Sequence, residues 1–520
     1  MNPKDANTIT AISALANCNP FSPDRFSMEK EILGRQFEPE ESIAWNRRFD
    51  SLTSDRPNVI KLTEMSASVV ARVRKSVAGG AMIPAELKSA YWDVATYLLL
   101  YKHITPVRYE QFHGSERSSG KVVAATWQSF YEEYRQIFDV GGLFPLDMKA
   151  AAHLFACLSQ VHRAFFNIFD FILGDSLPIA RLRAKVWESI FSCDLGRYHR
   201  SLYSRMRNLA TLVTGPSGTG KELVARAVGM SQYIPFNPGS EAFEAVDETI
   251  FFPLNLSALS PTLIESELFG HHRGAFTGAV DDRVGWLEAC PSHGAVFLDE
   301  IGELDPALQV KLLRVVQERK YCRLGESKER EFKGKIISAT NRDLFEEIKA
   351  GRFREDFYFR LCSDRIQTPS LREQLDDKPS DLKALALSIA KRLSGDDAEQ
   401  LVAEALGWID ANLGDDYPWS GNIRELEQCI SSYMIRREYV PAKTLRSKAN
   451  GDAVLAEWLH PVSKCTMTAE DLLRRYCTRV YADLGSYEKT ASVLKLDRRT
   501  VKAKVDPVLL EEFQVMTSGR

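Results

Sequence analysis

The sequence predicts a multidomain protein in which an α/β core lies between a mostly helical N-terminal domain and an all-α C-terminal domain. The first observation is an apolar strand, residues 209–214, which runs into a glycine-rich loop, residues 215–221, and then into a helix. The second is another apolar run, residues 295–298, which ends in Asp299 and Glu300. Apolar strands that deliver glycines or carboxylates to their C-terminal ends are typical of a parallel sheet covered by helices.

The glycine-rich loop has the spacing Gly-x-x-x-x-Gly-Lys, which predicts a phosphate-binding loop. Its glycines let backbone N–H groups turn toward an anion, and the N-terminus of the next helix adds positive potential. Lys221 supplies a charge for the β- and γ-phosphates, whereas the Ser or Thr that usually follows is replaced by Glu222. The predicted nucleotide-binding residues are Gly215, Pro216, Ser217, Gly218, Thr219, Gly220, Lys221 and Glu222.

The acidic strand end predicts the chemistry of the same site. Asp299 is suited to hold Mg²⁺, and Glu300 is suited to orient and polarise an attacking water. An exposed acidic strand end is the alternative, but the phosphate loop that precedes it in the sequence argues against that interpretation. We therefore predict a nucleotide hydrolase core.

Composition limits the class of protein. At 520 residues, the chain has room for roughly three or four domains. Its net charge of −3 restricts any nucleic-acid contact to a local patch. The nine cysteines include no Cys-x-x-Cys pair, which indicates neither a zinc site nor a disulfide framework. Residues 1–20 lack a signal-peptide pattern, and charged residues interrupt the most apolar stretch, residues 150–173, so we expect a cytoplasmic protein without membrane spans.

The N-terminal domain, residues 1–171, reads as mostly helical from residue 61, with helical patterns at 61–78, 85–103, 126–138 and 147–173. Short apolar runs at 106–112 and 121–127, separated by a Gly/Ser-rich turn, are also compatible with a small hairpin. The alternating strand and helix pattern of a response-regulator receiver is absent. The domain's position before the core favours a regulatory role, and its signal is not predictable from the sequence.

Between the two halves of the nucleotide site lies a small, flexible segment with one aromatic residue at its tip. It consists of Gly274, Ala275, Phe276, Thr277, Gly278 and Ala279. An exposed Phe in such a loop is best explained by a contact made in only some states. The segment resembles the loop that marks bacterial enhancer-binding proteins, the AAA+ activators of sigma-54 RNA polymerase. The resemblance implies that this loop contacts the sigma factor.

The resemblance extends over residues 172–440 and implies an AAA+ ATPase domain at 172–366 with a helical lid at 367–445. Its cofactors would be ATP and Mg²⁺. Asn255 would hold the water-activating Glu300 by a hydrogen bond. Asn341 would contact the γ-phosphate, and Arg424 in the lid would contact phosphates.

Arg354 and Arg360 match arginine fingers, which act on the ATP of a neighbouring subunit, so we expect a homo-oligomeric ring, specifically a hexamer. Ser420 and His272 depart from the family pattern.

Two regions are longer than the family pattern, residues 193–207 and 233–252. The first is rich in Arg and Tyr, and a solvated loop is preferred over a regulatory contact.

The C-terminal segment, residues 446–520, begins with a mixed linker and continues from Thr468 with two amphipathic helices and a helix-turn-helix pattern over 486–504. The turn is at 495–496, and Asp497 is the expected N-cap of the second helix. Residues 474–504 contain nine Lys/Arg and three Asp/Glu, a local basic patch suited to double-stranded DNA. The pattern resembles the factor-for-inversion-stimulation (Fis) type of DNA-binding domain. The candidate DNA contacts are Arg498, Arg499, Thr500, Lys502 and Lys504.

Together these features predict an ATP-dependent transcriptional activator that binds upstream DNA and remodels sigma-54 RNA polymerase holoenzyme. One alternative keeps the motor but directs it at a different protein. A second alternative is a DNA-binding repressor that uses the nucleotide only as a signal, although Glu300 and the two finger arginines are not needed for sensing alone.

Overall fold

The computed structural model describes residues 2–39, 56–107, 117–244, 249–441, 468–507 and 509–510, in two separate units. Seven helices lead the chain from the N-terminus to the central sheet: α1 (Pro3–Asn17), α2 (Asp24–Leu33), α3 (Pro57–Ala78), α4 (Lys88–Leu99), α5 (Arg117–Phe138), α6 (Met148–Phe171) and α7 (Leu177–Phe191). Helices α1 and α2 lie in a stretch for which the sequence predicted no element. The predicted boundary near residue 172 falls at the end of α6.

The hairpin considered for the N-terminal domain is wrong in its second strand. Residues 121–127 lie inside α5, whose buried residues recur at helical spacing and face the N-terminal core. They are Val123, Trp127, Phe130, Tyr134 and Ile137. The start of the first proposed strand, Pro106 and Val107, is in a turn, and the remainder of that run lies outside the described residues.

A five-stranded parallel sheet forms the centre of the first unit. Its strands are β1 (Thr211–Thr214), β4 (Phe251–Asn255), β7 (Ala295–Asp299), β10 (Lys335–Thr340) and β11 (Asp364–Gln367), and they pair in the order β11-β1-β10-β7-β4. Numbered along the chain, this order is 5-1-4-3-2. Because all five strands point the same way, their carboxyl ends meet at one edge, where open α/β sheets bind ligands.

Alternating side chains of the central strands enter two different cores, as the period of a strand requires. On one face, Val213, Phe297 and Ile337 pack with α6, α7 and the helix α8 (Lys221–Gly229). On the other face, Leu212 and Val296 pack with α9 (Pro261–Phe269), α11 (Pro306–Glu318) and α13 (Glu355–Leu361). The helix α6, which the sequence assigned to the N-terminal domain, therefore covers one face of the central sheet.

The remaining short elements of the core are the β2–β3 hairpin (Phe236–Asn237 and Ala242–Phe243), the β5–β6 pair (Gly270–His271 and Arg283–Val284), α10 (Trp286–Ala289), the β8–β9 pair (Lys320–Tyr321 and Arg330–Glu331) and α12 (Leu344–Lys349).

The two long regions join the N-terminal helices to the core. A helical turn, Leu195–Arg197, continues into a π-helical turn, Tyr198–Leu202. Tyr198 is buried, and its hydroxyl donates to Gln160 Oε1 on α6 at 2.7 Å. In the second region, Phe236 packs against Trp127 and Phe155 of the N-terminal core. The prediction of a solvated loop at residues 193–207 is therefore wrong, because Tyr198 is buried against α6.

Four helices follow the sheet and form the predicted lid: α14 (Leu371–Asp377), α15 (Asp381–Ser394), α16 (Ala398–Asn412) and α17 (Asn422–Arg436). The predicted linker, residues 443–464, lies outside the described residues. The described part of the second unit contains α18 (Ala469–Leu484), α19 (Tyr487–Leu494) and α20 (Arg498–Lys504), so one helix, rather than the two predicted, lies between residues 468 and 486. Among the described helices, none combines the length and the apolar run needed to cross a bilayer.

Candidate functional site: a phosphate loop between sheet and lid

The phosphate loop connects β1 to α8 at the carboxyl edge of the sheet. Gly215 (φ +149°) and Gly218 (φ +79°) occupy conformations that L side chains rarely adopt. Space is also limiting: a Cβ on Gly215 would lie 2.1 Å from Thr368 Oγ1, and one on Gly218 would lie 2.2 Å from Gly421 O. Only glycine permits this close approach of the loop to the strand end and the lid.

Four of the charged groups predicted for the nucleotide site converge on one cleft. Its volume is about 280 Å³, close to the lower end of the range for small-molecule sites. Lys221, Asp299, Glu300 and Arg424 all line it. Lys221 Nζ donates to the carbonyl oxygens of Gly215 and Pro216, each at 3.0 Å. The cleft therefore brings a cation for phosphates next to the two carboxylates.

Burial changes the proton affinity of this pair of opposite charges. Burial lowers the pKa of the Lys221 ammonium, while Glu300 and Asp299 oppose that effect. Burial raises the pKa of the Asp299 carboxyl, which accepts a hydrogen bond from the backbone N–H of Glu300 at 3.0 Å. Glu300 itself has a left-handed backbone, φ +56°, in which a residue other than glycine is strained. A divalent cation beside Asp299 would stabilise its ionised form.

The lid contacts the phosphate loop through residues that the sequence only partly identified. Arg424 donates to Ser217 Oγ at 3.1 Å. Asn422, which the motif analysis overlooked, donates from its side-chain amide to Ser217 O at 2.9 Å, and its Oδ1 accepts from Leu371 N at 2.8 Å. The backbone N–H of Ile423 donates to Gly218 O at 3.0 Å. Asn422 has φ +54°, a conformation that Asn tolerates better than most residues.

An apolar cavity of about 190 Å³ adjoins the cleft and shares Gly220, Leu223, Arg392 and Ile423 with it. Its wall includes residues from the α6–α7 turn and from the lid, among them Ile172, Ile179 and Leu385. These residues were not predicted as site residues, because an apolar wall carries no motif. Its position beside the phosphate loop suits the non-phosphate part of a nucleotide.

Two asparagines lie at the same edge of the sheet. Asn255 ends β4 and is the register partner of Asp299 on β7. Its Oδ1 accepts from Ser257 N at 3.0 Å and from Ser257 Oγ at 2.7 Å. No hydrogen bond joins Asn255 to Glu300 within the described residues, so this structure shows Asn255 engaged by its own turn. Asn341 follows β10 directly and is exposed.

The two candidate finger arginines lie outside the cleft. Arg354 is the N-cap residue of α13, where it pairs with Asp356 at 2.7 Å, and Arg360 lies in the last turn of the same helix. Both are exposed, and neither lines the cleft that contains Lys221 and Glu300. The structure thus brings together Lys221, Asp299, Glu300 and Arg424 within one chain, and leaves both finger arginines on its surface.

The loop over residues 274–279 is a compact turn beside the β5–β6 pair. Gly274 N donates to Ala279 O at 2.9 Å, and Ala279 N donates to Phe276 O at 3.0 Å. Thr277 is exposed. Phe276 is half-buried rather than exposed, because its ring packs edge-on against His271, with ring centroids 5.0 Å apart. The aromatic tip is therefore partly covered in this state.

His272, which departs from the family pattern, anchors this loop to its neighbour. Its ring nitrogens lie 3.1 Å from Asp282 Oδ1 and 3.4 Å from Glu326 Oε2. The backbone N–H of His272 also donates to Leu324 O at 3.0 Å. The side chain of His272 therefore connects the base of the loop to the segment between β8 and β9.

The second unit has the turn and the helix cap that the sequence predicted. Lys495 is left-handed (φ +53°), and Asp497 Oδ1 accepts from Arg499 N at 2.7 Å. Arg498, Arg499, Thr500 and Lys502 are exposed on α20. Two of the five DNA candidates form ion pairs within the unit: Arg498 with Glu488 at 3.0 Å, and Lys504 with Glu470 at 2.7 Å.

Comparisons with known proteins agree with this geometry. A family model described as the sigma-54 interaction domain matches residues 198–367. The transcriptional regulatory protein ZraR of Salmonella typhimurium is 35% identical over 297 residues, which cover 56% of this chain and 62% of ZraR. The Nif-specific regulatory protein of Azotobacter vinelandii is 40% identical over 246 residues, which cover 46% of this chain and 43% of that protein. The chain thus spans less than two thirds of the length of these relatives.

Among solved structures, NtrX from Brucella abortus aligns with a TM-score of 0.39 and 23% identity, covering 68% of this chain and 72% of NtrX. The fold described above rests on the chain's own strand order and contacts.

Residues 211–436 thus form a phosphate-loop α/β core with a helical lid. Residues 198–367 match the sigma-54 interaction domain, and over this segment the predicted resemblance to bacterial enhancer-binding activators is confirmed.

Proposed function

We propose that this protein is an ATP-dependent transcriptional activator that assembles into a ring and remodels sigma-54 RNA polymerase holoenzyme. The observation that carries the proposal is the convergence of Lys221, Asp299, Glu300 and Arg424 on one cleft at the carboxyl edge of the sheet. In this arrangement, Lys221 and the loop N–H groups bind the β- and γ-phosphates, and Asp299 holds Mg²⁺. Glu300 orients the attacking water. Glu222 lines the same cleft where a hydroxyl is usual.

The positions of the arginines support an oligomeric working form. Arg354 and Arg360 are exposed and lie outside the cleft of their own chain. An arginine that stabilises transition-state charge from a neighbouring subunit must be exposed in a single chain, and such a contribution is worth about 10³–10⁵ in rate. A closed ring, which we propose is a hexamer, gives every cleft a neighbouring finger.

The loop over residues 274–279 is the proposed contact with the sigma factor. Its half-buried Phe276 rests on His271, and its Thr277 is exposed. His272 connects the base of the loop to the β8–β9 segment. A tip that is partly covered in one state can be released in another, which is what a nucleotide-driven contact requires. In this proposal Asn255, which borders Asp299, holds Glu300, and Asn341, after β10, contacts the γ-phosphate.

The second unit is the proposed DNA reader. Arg499, Thr500 and Lys502 are exposed on α20, the helix that a helix-turn-helix places in the major groove. Arg498 and Lys504 are the other candidates, and both are engaged with acidic residues in this structure. The proposed cytoplasmic location follows from this function.

The testing experiment is co-elution of the full chain with sigma-54 on a sizing column, with ADP plus aluminium fluoride and without it. A large complex that appears only with the transition-state mimic is the expected result. A complex formed by residues 148–445, which keep α6 over the sheet, but not by the full chain would assign a repressive role to the helices before α6. If neither protein binds sigma-54, the motor acts on another target, and the remodeller alternative replaces this proposal.

A further inference from the structure

A group of metal-ligating side chains lies where the N-terminal helices join the core. His153 and Cys157 lie one turn apart on α6, and His199 lies in the π-helical turn before β1. One ligand atom from each of the three side chains lies within 4.8 Å of the other two. We propose that His153, Cys157 and His199 form a binding site for a thiophilic transition-metal ion such as Zn²⁺. None of these three residues lines the nucleotide cleft or belongs to the loop over residues 274–279.

The spacing of the atoms is close to that of a coordinated ion. Cys157 Sγ lies 4.0 Å from His153 Nδ1. In a tetrahedral zinc site, bond lengths of about 2.0–2.3 Å place neighbouring ligand atoms about 3.4–3.8 Å apart. Small side-chain rotations therefore suffice to close the site around an ion.

Hydrogen bonds fix the tautomer of His153 in the form that a metal needs. Its Nε2 lies 2.9 Å from the backbone oxygen of His199, which only accepts, so Nε2 carries the proton. Nδ1 then has the lone pair and accepts from the Tyr233 hydroxyl at 2.9 Å. A ligating histidine commonly donates its other N–H to a backbone carbonyl. An ion bound at Nδ1 would replace the hydrogen bond from Tyr233. The hydrogen bond from Nε2 to the backbone oxygen of His199 would still orient the ring.

His199 offers a second nitrogen without an alternative partner. Its Nε2 atom is buried and has no hydrogen-bond partner among the described residues. A buried, unpaired polar atom is costly, and coordination of an ion would remove that cost. Burial lowers the pKa of His199 to about 3 and also lowers the pKa of His153, so both rings are neutral near pH 7. Neutral imidazole is the form that ligates metals.

The thiol of Cys157 completes the set. Burial raises the pKa of Cys157, so the sulfur is protonated in the metal-free protein. On binding, the S–H bond breaks, a sulfur–metal bond forms, and the proton leaves to solvent. Cys157 and His199 also line a cavity of about 80 Å³, bordered by Trp92 and Asp93. The cavity supplies an access route and room for a water molecule as the fourth ligand.

The location gives the ion a structural consequence. Helix α6 covers one face of the central sheet, and residues 195–202 lead into β1. Tyr233 follows α8, the helix that starts at the phosphate loop. An ion held by α6 and the π-helical turn would cross-link the N-terminal helices to the core, close to the end of α8. The sequence analysis found no zinc pattern, because Cys157 and His199 are far apart in the chain.

The test is titration of the full chain with Co²⁺, which reports thiolate coordination through a sulfur-to-metal charge-transfer band. The variants are Cys157→Ser and His199→Phe, and the second keeps an aromatic ring against Trp92 and His153. The matched control is Cys193→Ser, an exposed cysteine near the same turn. We expect one equivalent of Co²⁺ with a charge-transfer band in the parent and control proteins. We expect no charge-transfer band in Cys157→Ser. In His199→Phe we expect the apparent affinity for Co²⁺, followed by the band, to fall at least tenfold.

Thermal unfolding with Zn²⁺ supplies a second readout on the same proteins. Zn²⁺ raises the Tm of the parent and of Cys193→Ser, because an ion that binds only the folded state stabilises it. It raises the Tm of correctly folded His199→Phe less than that of the parent at the same Zn²⁺ concentration, because the variant binds the ion more weakly. A parent protein without the charge-transfer band, or equal bands in all four proteins, would show that this cluster is only a packed aromatic joint, and the proposed metal site would be refuted.

Discussion

The side-chain amide of Asn422 donates to the backbone oxygen of Ser217 at 2.9 Å, which ties the lid directly to the phosphate loop. The same side chain accepts from Leu371 N at 2.8 Å, so one buried residue fixes both the first lid helix and the loop. The position of the lid and the shape of the phosphate loop are therefore coupled through Asn422. A nucleotide that reshapes the loop must also act on the lid.

Replacement of Asn422 by Gly is expected to weaken ATP binding by about tenfold. Glycine keeps the left-handed backbone, and the loss is that of the two hydrogen bonds, of order 1–3 kcal/mol. Titration of ATP by calorimetry measures the effect. Asn422→Ala should be worse, because a left-handed alanine adds about 1 kcal/mol of strain. Equal ATP affinity in the parent and in Asn422→Gly would contradict the proposed coupling.

Glu300→Gln is expected to bind ATP normally and to lose turnover by about 10²–10⁴, because an amide cannot polarise the attacking water. Single-turnover hydrolysis and nucleotide binding, measured on the same sample, separate the two effects. Glu303→Gln is the matched control, since Glu303 pairs with Arg342 and does not line the cleft. Turnover within twofold of the parent in Glu300→Gln would remove Glu300 from the mechanism.

Thr277→Ala is expected to abolish activation while ATP hydrolysis stays measurable. Thr277 is exposed at the tip of the loop, whose turn is held by backbone hydrogen bonds that the substitution leaves in place. Co-elution with sigma-54 in ADP plus aluminium fluoride measures the contact, and phosphate release measures the motor. Normal complex formation by this variant would show that the loop is not the contact.

The central site was predictable from the sequence because its residues follow short motifs at the ends of apolar strands. Lys221, Asp299 and Glu300 were identified in this way, Arg424 was identified through the family resemblance, and all four line one cleft. Asn422 was not identified, because its role depends on where the lid helix meets the loop rather than on its residue type. The apolar cavity beside the cleft carries no motif for the same reason.

The N-terminal region was the least predictable, because its helices are stabilised by distant contacts. Residues 121–127 form a short apolar run that suggests a strand, yet over a longer window their apolar positions follow a helix. The long regions around Tyr198 and Phe236 appeared to be loops because the side chains that bury them belong to α5 and α6. Local pattern cannot report a contact between segments that are far apart in the chain.

His162 on α6 is expected to make the protein sensitive to acid. Burial, and to a lesser degree Arg163, lowers the pKa of His162 to about 3. In the unfolded chain its pKa is about 6.5, so the unfolded state binds the proton first and stability falls as pH decreases from 6.5 toward 3. The loss between pH 6.5 and 5 is about 2 kcal/mol. Urea unfolding at these two pH values measures it.

The control for this effect is His162→Phe, which keeps an aromatic ring beside Phe166 but cannot titrate. The pH dependence of its unfolding free energy should be flatter than that of the parent over the same window. The same slope in both proteins would assign the acid sensitivity to other groups.

Arg360→Ala is expected to retain ATP binding and to lose hydrolysis by about 10³–10⁵, since an exposed arginine outside its own cleft can act only on a neighbour.

Mixing the Arg360→Ala and Lys221→Ala proteins provides the decisive measurement. Lys221→Ala subunits have intact arginines but cannot bind nucleotide, and Arg360→Ala subunits have intact clefts but no finger. In mixed rings, the clefts of Arg360→Ala subunits that face a Lys221→Ala neighbour recover hydrolysis, although each protein alone is inactive. If the mixture remains as inactive as its components, Arg360 does not act between subunits.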